Sequence, residues 1–527
     1  MNAQVEMNDT DLLGRLEALL GREHVITDET EREFFSTDIY QAGVMPLAVL
    51  RPASAAEVAQ VVQLCVARGV SLVPRGGGAS YTDGYLPTES RSVSLDTSRM
   101  NRILEINTRD MYVVAQVGVT WAALNDALAA KGLRTPFYGP FSGLAATVGG
   151  SLSQNSVTWG TGVFGVSGET TLGVEVVLGN GETLRTGTWG GANNAPFLRS
   201  YGPDLTGLFM GDCGALGIKT AVALRLMPRN SHVMGLSFGF KDFDHMLAGM
   251  EAAAKHGLNL TNFGLDPALQ AGQLGKADVA TSMQSAIAVW RSSRGIFDGL
   301  RNLSKMALAG RGFLRGAVFS AHWIVDGIDD AACRAAVARL REALQPHGAE
   351  VPATVPTVAN AMPFMPLYNV RSPIGERWVP VHGVLPFSRV EAFRKDLSAY
   401  YKEHAADMQR LKIRSGAMFM TVSTHAFLYE PVFYWEDVTN ITQERLMPEG
   451  YAASLPQFPD NPEGRALVDK MKHGIADIFL KHGAAHFQIG KFYPYLRGRE
   501  PSNAKLIRDL KQLLDPQRRL NPGALGL

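Results

Sequence analysis

Pro74-Arg-Gly-Gly-Gly-Ala-Ser-Tyr-Thr-Asp-Gly84 decides how this chain is read. It follows directly on Val70-Ser-Leu-Val73, an apolar run with strand character, and no helical periodicity opens after it. A pyrophosphate carries its charge on crowded oxygens. Successive backbone N–H groups turned inward form a nest for such an anion. Glycine permits the turn and removes the Cβ that would block approach. Gly76, Gly77, Gly78 and Gly84 supply that freedom, Ser80 and Thr82 offer hydroxyl donors, and Arg75 adds charge. The run is not a Rossmann fingerprint, because Tyr81 stands where a third glycine belongs. Nor is it a P-loop, since no Gly-Lys-Ser/Thr follows. Taken alone, a glycine run after a strand is equally a structural turn.

Two further stretches change that balance. Thr147-Val-Gly149-Gly150-Ser151-Leu-Ser153-Gln154-Asn155, with Gly160 and Gly162 behind it, gives a second close-approach backbone with small hydroxyl donors. Gly214-Ala-Leu-Gly217-Ile218 gives a third, between a helix and a strand. A long cofactor spanning several loops explains three such turns better than packing does. Around them the chain reads as alternating short elements. Leu12, Leu13, Leu16, Leu19 and Leu20 recur at helical spacing, and 46–51 reads as a strand. Ser54-Ala-Ala-Glu57 has the form of a capping box and opens a helix that runs to Gly69. Short strands fill 92–120, where Val93, Leu95, Tyr112 and Val114 alternate with neighbours, and 121–131 is a helix. Asn180-Gly181 makes 172–185 a hairpin, since that dipeptide supplies positive φ at both turn positions. A short helix at 204–209 and a strand at 218–226 follow, closed by Pro228.

Beyond residue 230 the pattern changes to strands at 233–240, 317–324, 378–384 and 417–423, with helices at 243–256, 329–344, 389–404 and 465–482. Strand–helix pairs in succession predict an antiparallel sheet with helices on one face. A last helix at 503–514 ends at Asp515-Pro516. The 527 residues exceed one ordinary core, so at least two domains are expected. With 46% hydrophobic and 19% charged residues the composition is globular, and a net charge of +1 gives no sign of a nucleic-acid surface. Cys65, Cys213 and Cys333 are the 3 cysteines, and none has CxxC spacing. That disfavours a disulfide scaffold, a zinc site or an iron–sulfur cluster, and no metal is expected. Without a basic and apolar leader, or a run of about 18 apolar residues, neither a signal peptide nor a membrane span is expected. The expected location is cytoplasmic.

Residues 46–228 resemble the FAD-binding domain of the para-cresol methylhydroxylase and vanillyl-alcohol oxidase superfamily. The elements that carry the resemblance are Pro74-Arg-Gly-Gly-Gly-Ala-Ser, Thr147-Val-Gly-Gly, Leu172-Gly-Val-Glu-Val-Val-Leu-Gly-Asn-Gly, Asp204-Leu-Thr-Gly-Leu-Phe, Gly214-Ala-Leu-Gly-Ile and the tail Leu514-Asp-Pro-Gln-Arg-Arg-Leu-Asn-Pro-Gly523. The resemblance implies an α+β fold in three parts. These are a FAD-binding domain (1–230), an antiparallel-sheet α+β cap over the flavin (231–485), and a C-terminal return to the FAD-binding domain (486–527). It implies that Arg75, Gly76, Gly77, Gly78, Ala79 and Ser80 hold the pyrophosphate. Thr147, Gly149, Gly150 and Ser153 should lie along the cofactor, Ile218 on its adenine side, and Asn521 near the flavin.

The chain also departs from that pattern. Some relatives attach FAD through a histidine in the first glycine loop, where Ala79 and Ser80 stand here. Attachment through the cap is the other route, and His425 and Tyr429 are its candidates. The phenol-oxidising branch has an acid beside the flavin, but the matching run is Phe164-Gly165-Val166-Ser167. The same branch grips a phenolate with a Tyr-Arg pair, where Phe487-Gln488 stand after His486. The 2-hydroxy-acid branch has a histidine-rich metal motif that is not found. Alcohol oxidation needs a proton acceptor, and histidine suits that role near neutral pH. His425, His486 and His482 are candidates, each also readable as a structural histidine. Tyr429 is read as either catalytic or core, and Lys491 as either a charge near the substrate or a solvated lysine. The expectation is a FAD-dependent oxidase or dehydrogenase acting on a small, aromatic alcohol. A 2-hydroxy-acid or 4-alkylphenol dehydrogenase is the alternative, as is a subunit serving an electron-transfer partner. Oxygen or a redox protein would accept the electrons, and a homo-oligomer is left open.

Overall fold

The structure is a computed structural model that describes residues 2–274 and 318–527. The first sheet orders Val25–Ile26, Ala48–Leu50, Ser92–Asp96 and Ser71–Arg75, and its last three strands run parallel. Parallel neighbours need a crossover, and the helix Ala55–Val66 provides it. Ser54 caps that helix by accepting from Glu57 N at 3.2 Å, while Glu57 reaches back to Ala53 N at 2.8 Å. The reciprocal contact therefore lands one residue before the cap.

A second, antiparallel sheet orders Ile103–Asn107, Tyr112–Gln116, Ile218–Arg225, Thr171–Val177 and Thr183–Arg185. The last two strands are the Asn180-Gly181 hairpin. The helices Asn2–Leu20 and Trp121–Ala129 join both sheets around one core, which takes in Leu16, Val61, Leu95, Val113, Val176 and Leu520. The alternation expected over 92–120 is not the burial pattern: Ser92–Asp96 and Tyr112–Gln116 are buried on both faces. Layers on each side of a strand remove the solvent face that alternation needs.

The larger sheet orders Ala349–Val351, His232–Phe240, Phe319–Gly327, Thr261–Leu265, Arg414–Val422, Ala426–Trp435 and Arg377–Pro380, with Gly383–Pro386 also pairing with Ala426–Trp435. Its pairs are antiparallel. The strand expected at 317–324 begins in residues outside the described ones. The strand expected at 378–384 is two strands with a break at 381–382. Phe243–Ala254, Asp330–Leu344, Phe387–Glu403 and Pro462–Lys481 pack on one face. Their apolar stripes bury Met246, Leu340, Phe393 and Phe479, the last two stacked at 4.2 Å. Full burial of each such side chain stabilises by roughly 1.5–3 kcal/mol. Among the described residues, the opposite face carries the short helices Pro267–Leu274 and Thr354–Ala361 and otherwise looks toward the glycine loops.

The C-terminal helix Pro501–Leu514 brings the chain back to the first sheet. Leu72 N donates to Arg519 O at 2.8 Å and Asn521 N to Leu72 O at 2.8 Å. Lys511, buried, ties Asp515 to the carbonyls of Ala215 and Leu520.

Candidate functional site

A cavity of about 1230 Å3 runs from the glycine loops to the exposed face of the larger sheet. One ligand ordinarily needs about 300–1,000 Å3, so there is room for more than one molecule. Its first half is built by the loop after Ser71–Arg75, packed against 145–147. Gly77 must lack a side chain, because a Cβ there would lie 1.8 Å from the Ala145 carbonyl oxygen. At Gly76 a Cβ would lie 2.4 Å from Thr147 Oγ1, and at Gly149 it would lie 2.5 Å from Val117 Cβ. Thr147 caps the short helix Val148–Gln154 by accepting from Gly150 N at 3.2 Å. Bare backbone and small hydroxyls therefore face the cavity, which is what a pyrophosphate requires.

Arg75, Gly76, Gly77, Gly78, Ala79, Ser80, Thr147, Gly149, Gly150 and Ser153 line this cavity together. Arg75 lies between the rings of Phe34, Phe35 and Tyr85, and its Nη2 is buried without a hydrogen-bond partner. Ile218 and Asn521 do not line it. The Ile218 side chain is buried in the core, although its neighbours Gly217 and Lys219 reach the cavity. Asn521 donates to the carbonyls of Gly84 and Cys213 at 2.8 and 2.6 Å, clamping two glycine loops together from behind.

The five residues singled out for chemistry also lie off the cavity wall. His425 is exposed in the turn between Arg414–Val422 and Ala426–Trp435. Tyr429 packs against Phe243, Phe393 and Phe419 on the helix-covered face. His486 Nδ1 donates to the His382 carbonyl, 2.7 Å away, and its ring stacks on Tyr493; burial pushes its pKa down to about 4. Since a carbonyl only accepts, Nδ1 of His486 is the protonated nitrogen. Lys491 donates to the Leu86 carbonyl, and burial lowers its pKa to about 8. His482 pairs with Asp396 at 2.8 Å, at the end of its helix.

Apart from Phe487 and Gln488, the residues that converge on the second half of the cavity were not picked out from sequence. Leu428, Glu430, Val432 and Tyr434 of Ala426–Trp435 line the second half of the cavity, with Met418 and Met420 from the neighbouring strand. Glu430 is 6% exposed, and burial pushes its pKa up to about 7. The Tyr81 hydroxyl sits beside its carboxyl and favours the ionised form. Gln488 Nε2 lies 3.5 Å from that hydroxyl, and Gln488 Oε1 accepts from Ser80 Oγ at 2.9 Å. Tyr81 thus joins the first glycine loop to the one acid in the run Ala426–Trp435. Sequence held a signal for Glu430: an acid alone in a run of apolar residues must be buried or strained. Cys213 lines the junction of the two halves, and burial pushes its thiol up to about 12.

The FAD binding domain family matches residues 46–187. An uncharacterized FAD-linked oxidoreductase of Mycobacterium tuberculosis is 30% identical over 251 residues, 47% of this chain and 53% of that one. Glycolate oxidase subunit GlcD of Bacillus subtilis is 36% identical over 194 residues, 37% of this chain and 39% of that one. The chain spans about half the length or less of these curated relatives. Among solved structures, p-cresol methylhydroxylase with bound substrate superposes with a TM-score of 0.72 at 17% identity, covering 99% of this chain and 97% of that one. Alkyldihydroxyacetonephosphate synthase superposes at 0.69 with 17% identity, covering 97% and 84%. The chain is a FAD-binding protein. Its fold is that of the p-cresol methylhydroxylase and vanillyl-alcohol oxidase superfamily.

Proposed function

We propose that this protein is a FAD-dependent oxidoreductase that oxidises a neutral alcohol, with Glu430 as the proton acceptor. The observation that carries the reading is a single buried carboxyl on the cavity wall with its pKa raised to about 7. General-base efficiency is greatest when the group titrates near the working pH. FAD, held by the backbone of Gly76–Ser80 and Thr147–Gly150, supplies the acceptor for the carbinol hydrogen. Glu430 takes the hydroxyl proton, and Tyr81 orients the carboxylate. The apolar wall excludes water. The proposed division stays 1–230 with 486–527 for the cofactor and 231–485 for the cap. Two largely separate cores support it, the cap core also taking in Ile39, Tyr40, Tyr81, Phe492 and Tyr493 of the other region.

A 2-hydroxy acid is the second reading, favoured by the glycolate oxidase subunit among the relatives. The cap half of the cavity argues against an anion. Arg414 there is paired with Glu376, and Arg371 is tied to the carbonyls of Gly375 and Asp437. A carboxylate or phenolate would face Glu430 without a free cation, at a cost of several kcal/mol. Anaerobic bleaching of the flavin by a panel of alcohols, 4-alkylphenols and 2-hydroxy acids tests this. Neutral alcohols are expected to bleach it fastest. Bleaching by lactate or 4-ethylphenol ahead of every alcohol would overturn the reading.

A further inference from the structure

The floor of the cavity's second half is an ordered grid, because strand register fixes which side chains stand side by side. Leu265 pairs with Met418, and Met418 pairs with Glu430. All three face the cavity. They form a row across three strands, about 10 Å long at roughly 4.8 Å per strand. Glu430 is the ionisable end of that row. Beyond Leu265 the register passes to Ser320, which is buried and off the cavity; the wall beside Leu265 is made by Leu269 of Pro267–Leu274, packed over Gly416, and Val355 and Val358 of Thr354–Ala361 roof it. Among the described residues, no charged side chain follows Glu430 between it and Leu265; Thr354 and Tyr434 are hydrogen-bonding groups on the adjoining wall, and Arg414 there is paired with Glu376. The two methionines, Met418 and Met420, give an adaptable rather than a shape-specific surface.

We infer that this row binds the extended apolar body of a long-chain or similarly elongated alcohol, with its hydroxyl at Glu430 and its tail at Leu269 and Val358. The inference rests on the alcohol reading above and adds the substrate class. A short polar substrate would leave the row to water with nothing to hydrogen-bond. An elongated apolar one fills it, and each buried methylene strengthens binding by about fourfold. That gain stops once the tail reaches the roofed end.

Calorimetric titration of the holoenzyme with methyl ethers of straight-chain alcohols, from butanol to dodecanol, tests this without turnover. Affinity should rise about fourfold per methylene and then level off. Leu269→Trp or Val358→Trp should move the plateau to a shorter chain, and either variant that retains FAD suffices. A Kd that does not change along the series would overturn the inference, as would a plateau unmoved in the folded variants. The parent alcohols are then tried for flavin bleaching. Length-dependent ether binding without bleaching would sink the alcohol chemistry and leave the chamber assignment standing. Bleaching with no dependence on length would do the reverse.

Discussion

Glu430 concentrates the chemistry in one side chain. Its carboxyl must be ionised to accept a proton, and burial raises its pKa from 4.5 to about 7. Flavin reduction should therefore slow as the pH falls below about 7. Glu430→Gln should slow reduction by about a hundredfold or more and abolish that acid limb. His425→Ala should leave the rate unchanged, since that ring is exposed in a turn. Stopped-flow reduction across pH separates these outcomes; an acid limb that survives in Glu430→Gln would assign the base elsewhere. The same group predicts a stability effect of definite sign. Its folded pKa lies above its unfolded value, so the folded state holds the extra proton. That stabilisation is present below the unfolded pKa and is lost as pH rises through about 7. Glu430→Gln removes the cost of the buried charge, worth up to about 3 kcal/mol. It should raise Tm at pH 8 and change it little at pH 5. Loss of activity with gain of stability is the pattern of a strained functional group.

At the scale of elements, the glycine loop and the strand Ala426–Trp435 make a contrast. The loop was legible because its glycines and hydroxyls stand together in sequence, although the group a Cβ at Gly77 would meet, Ala145 O, lies several strands further along the chain. Gly77→Ala should yield protein with little bound FAD, read from the ratio of flavin to protein absorbance. Gly14→Ala, where a Cβ meets nothing within 4 Å, should keep its FAD and gain a little helix stability. Equal flavin content in the two variants would contradict the cradle. The hairpin and the capped helix were legible for the same local reason. The strand was not. Its run Ala-Phe-Leu-Tyr-Glu-Pro-Val-Phe-Tyr-Trp has no alternation, because helices cover one face and the cavity wall the other. Pro431 also argues against a central strand. It is accommodated where the partner edge breaks between Arg377–Pro380 and Gly383–Pro386, next to Val381, whose N–H donates to its carbonyl. Without the strand there was no parity to separate Tyr429, which turns to the helices, from Glu430, which turns to the cavity. The choice of His425, His486 and Lys491 followed residue chemistry and the family resemblance, neither of which fixes the face a side chain takes. Attachment of the flavin follows from the same geometry. No histidine lines the cavity among the described residues, and Tyr429, the other candidate for attachment, turns to the helices. Acid precipitation should therefore release FAD, not FMN, into the supernatant; flavin retained on a peptide would contradict this.

Over the whole molecule, the cofactor loops and the larger sheet are locked by a buried charge cluster that no local pattern reveals. Asp38 accepts from the backbone amides of Tyr40 and Gln41 at 2.7 and 2.6 Å, and from Asp83 N at 3.2 Å. Asp83 belongs to the first glycine loop. Lys472, from Pro462–Lys481, is 1% exposed and supplies the positive charge, with Nζ 3.7 Å from the Tyr40 ring centre and 4.5 Å from that of Phe492. Asp469 and Arg377 complete the field around it. Burial raises the pKa of both Asp38 and Asp83, and Lys472 opposes that rise. Three stretches far apart in sequence thus share one charge balance. Lys472→Met keeps the apolar stem and removes the charge, leaving two buried acids without their cation. Breaking such a set costs about 3–5 kcal/mol. The sign with pH follows from linkage. Without Lys472 the acid pair keeps a proton to higher pH, so its folded pKa rises further above the unfolded value. Stability from that proton is present at low pH and lost as pH rises through the folded pKa. Thermal unfolding of Lys472→Met should therefore show a modest loss at pH 6 and a larger one at pH 8, with FAD released earlier in the melt. A loss of Tm equal at both pH values would show that Lys472 contributes packing and not charge.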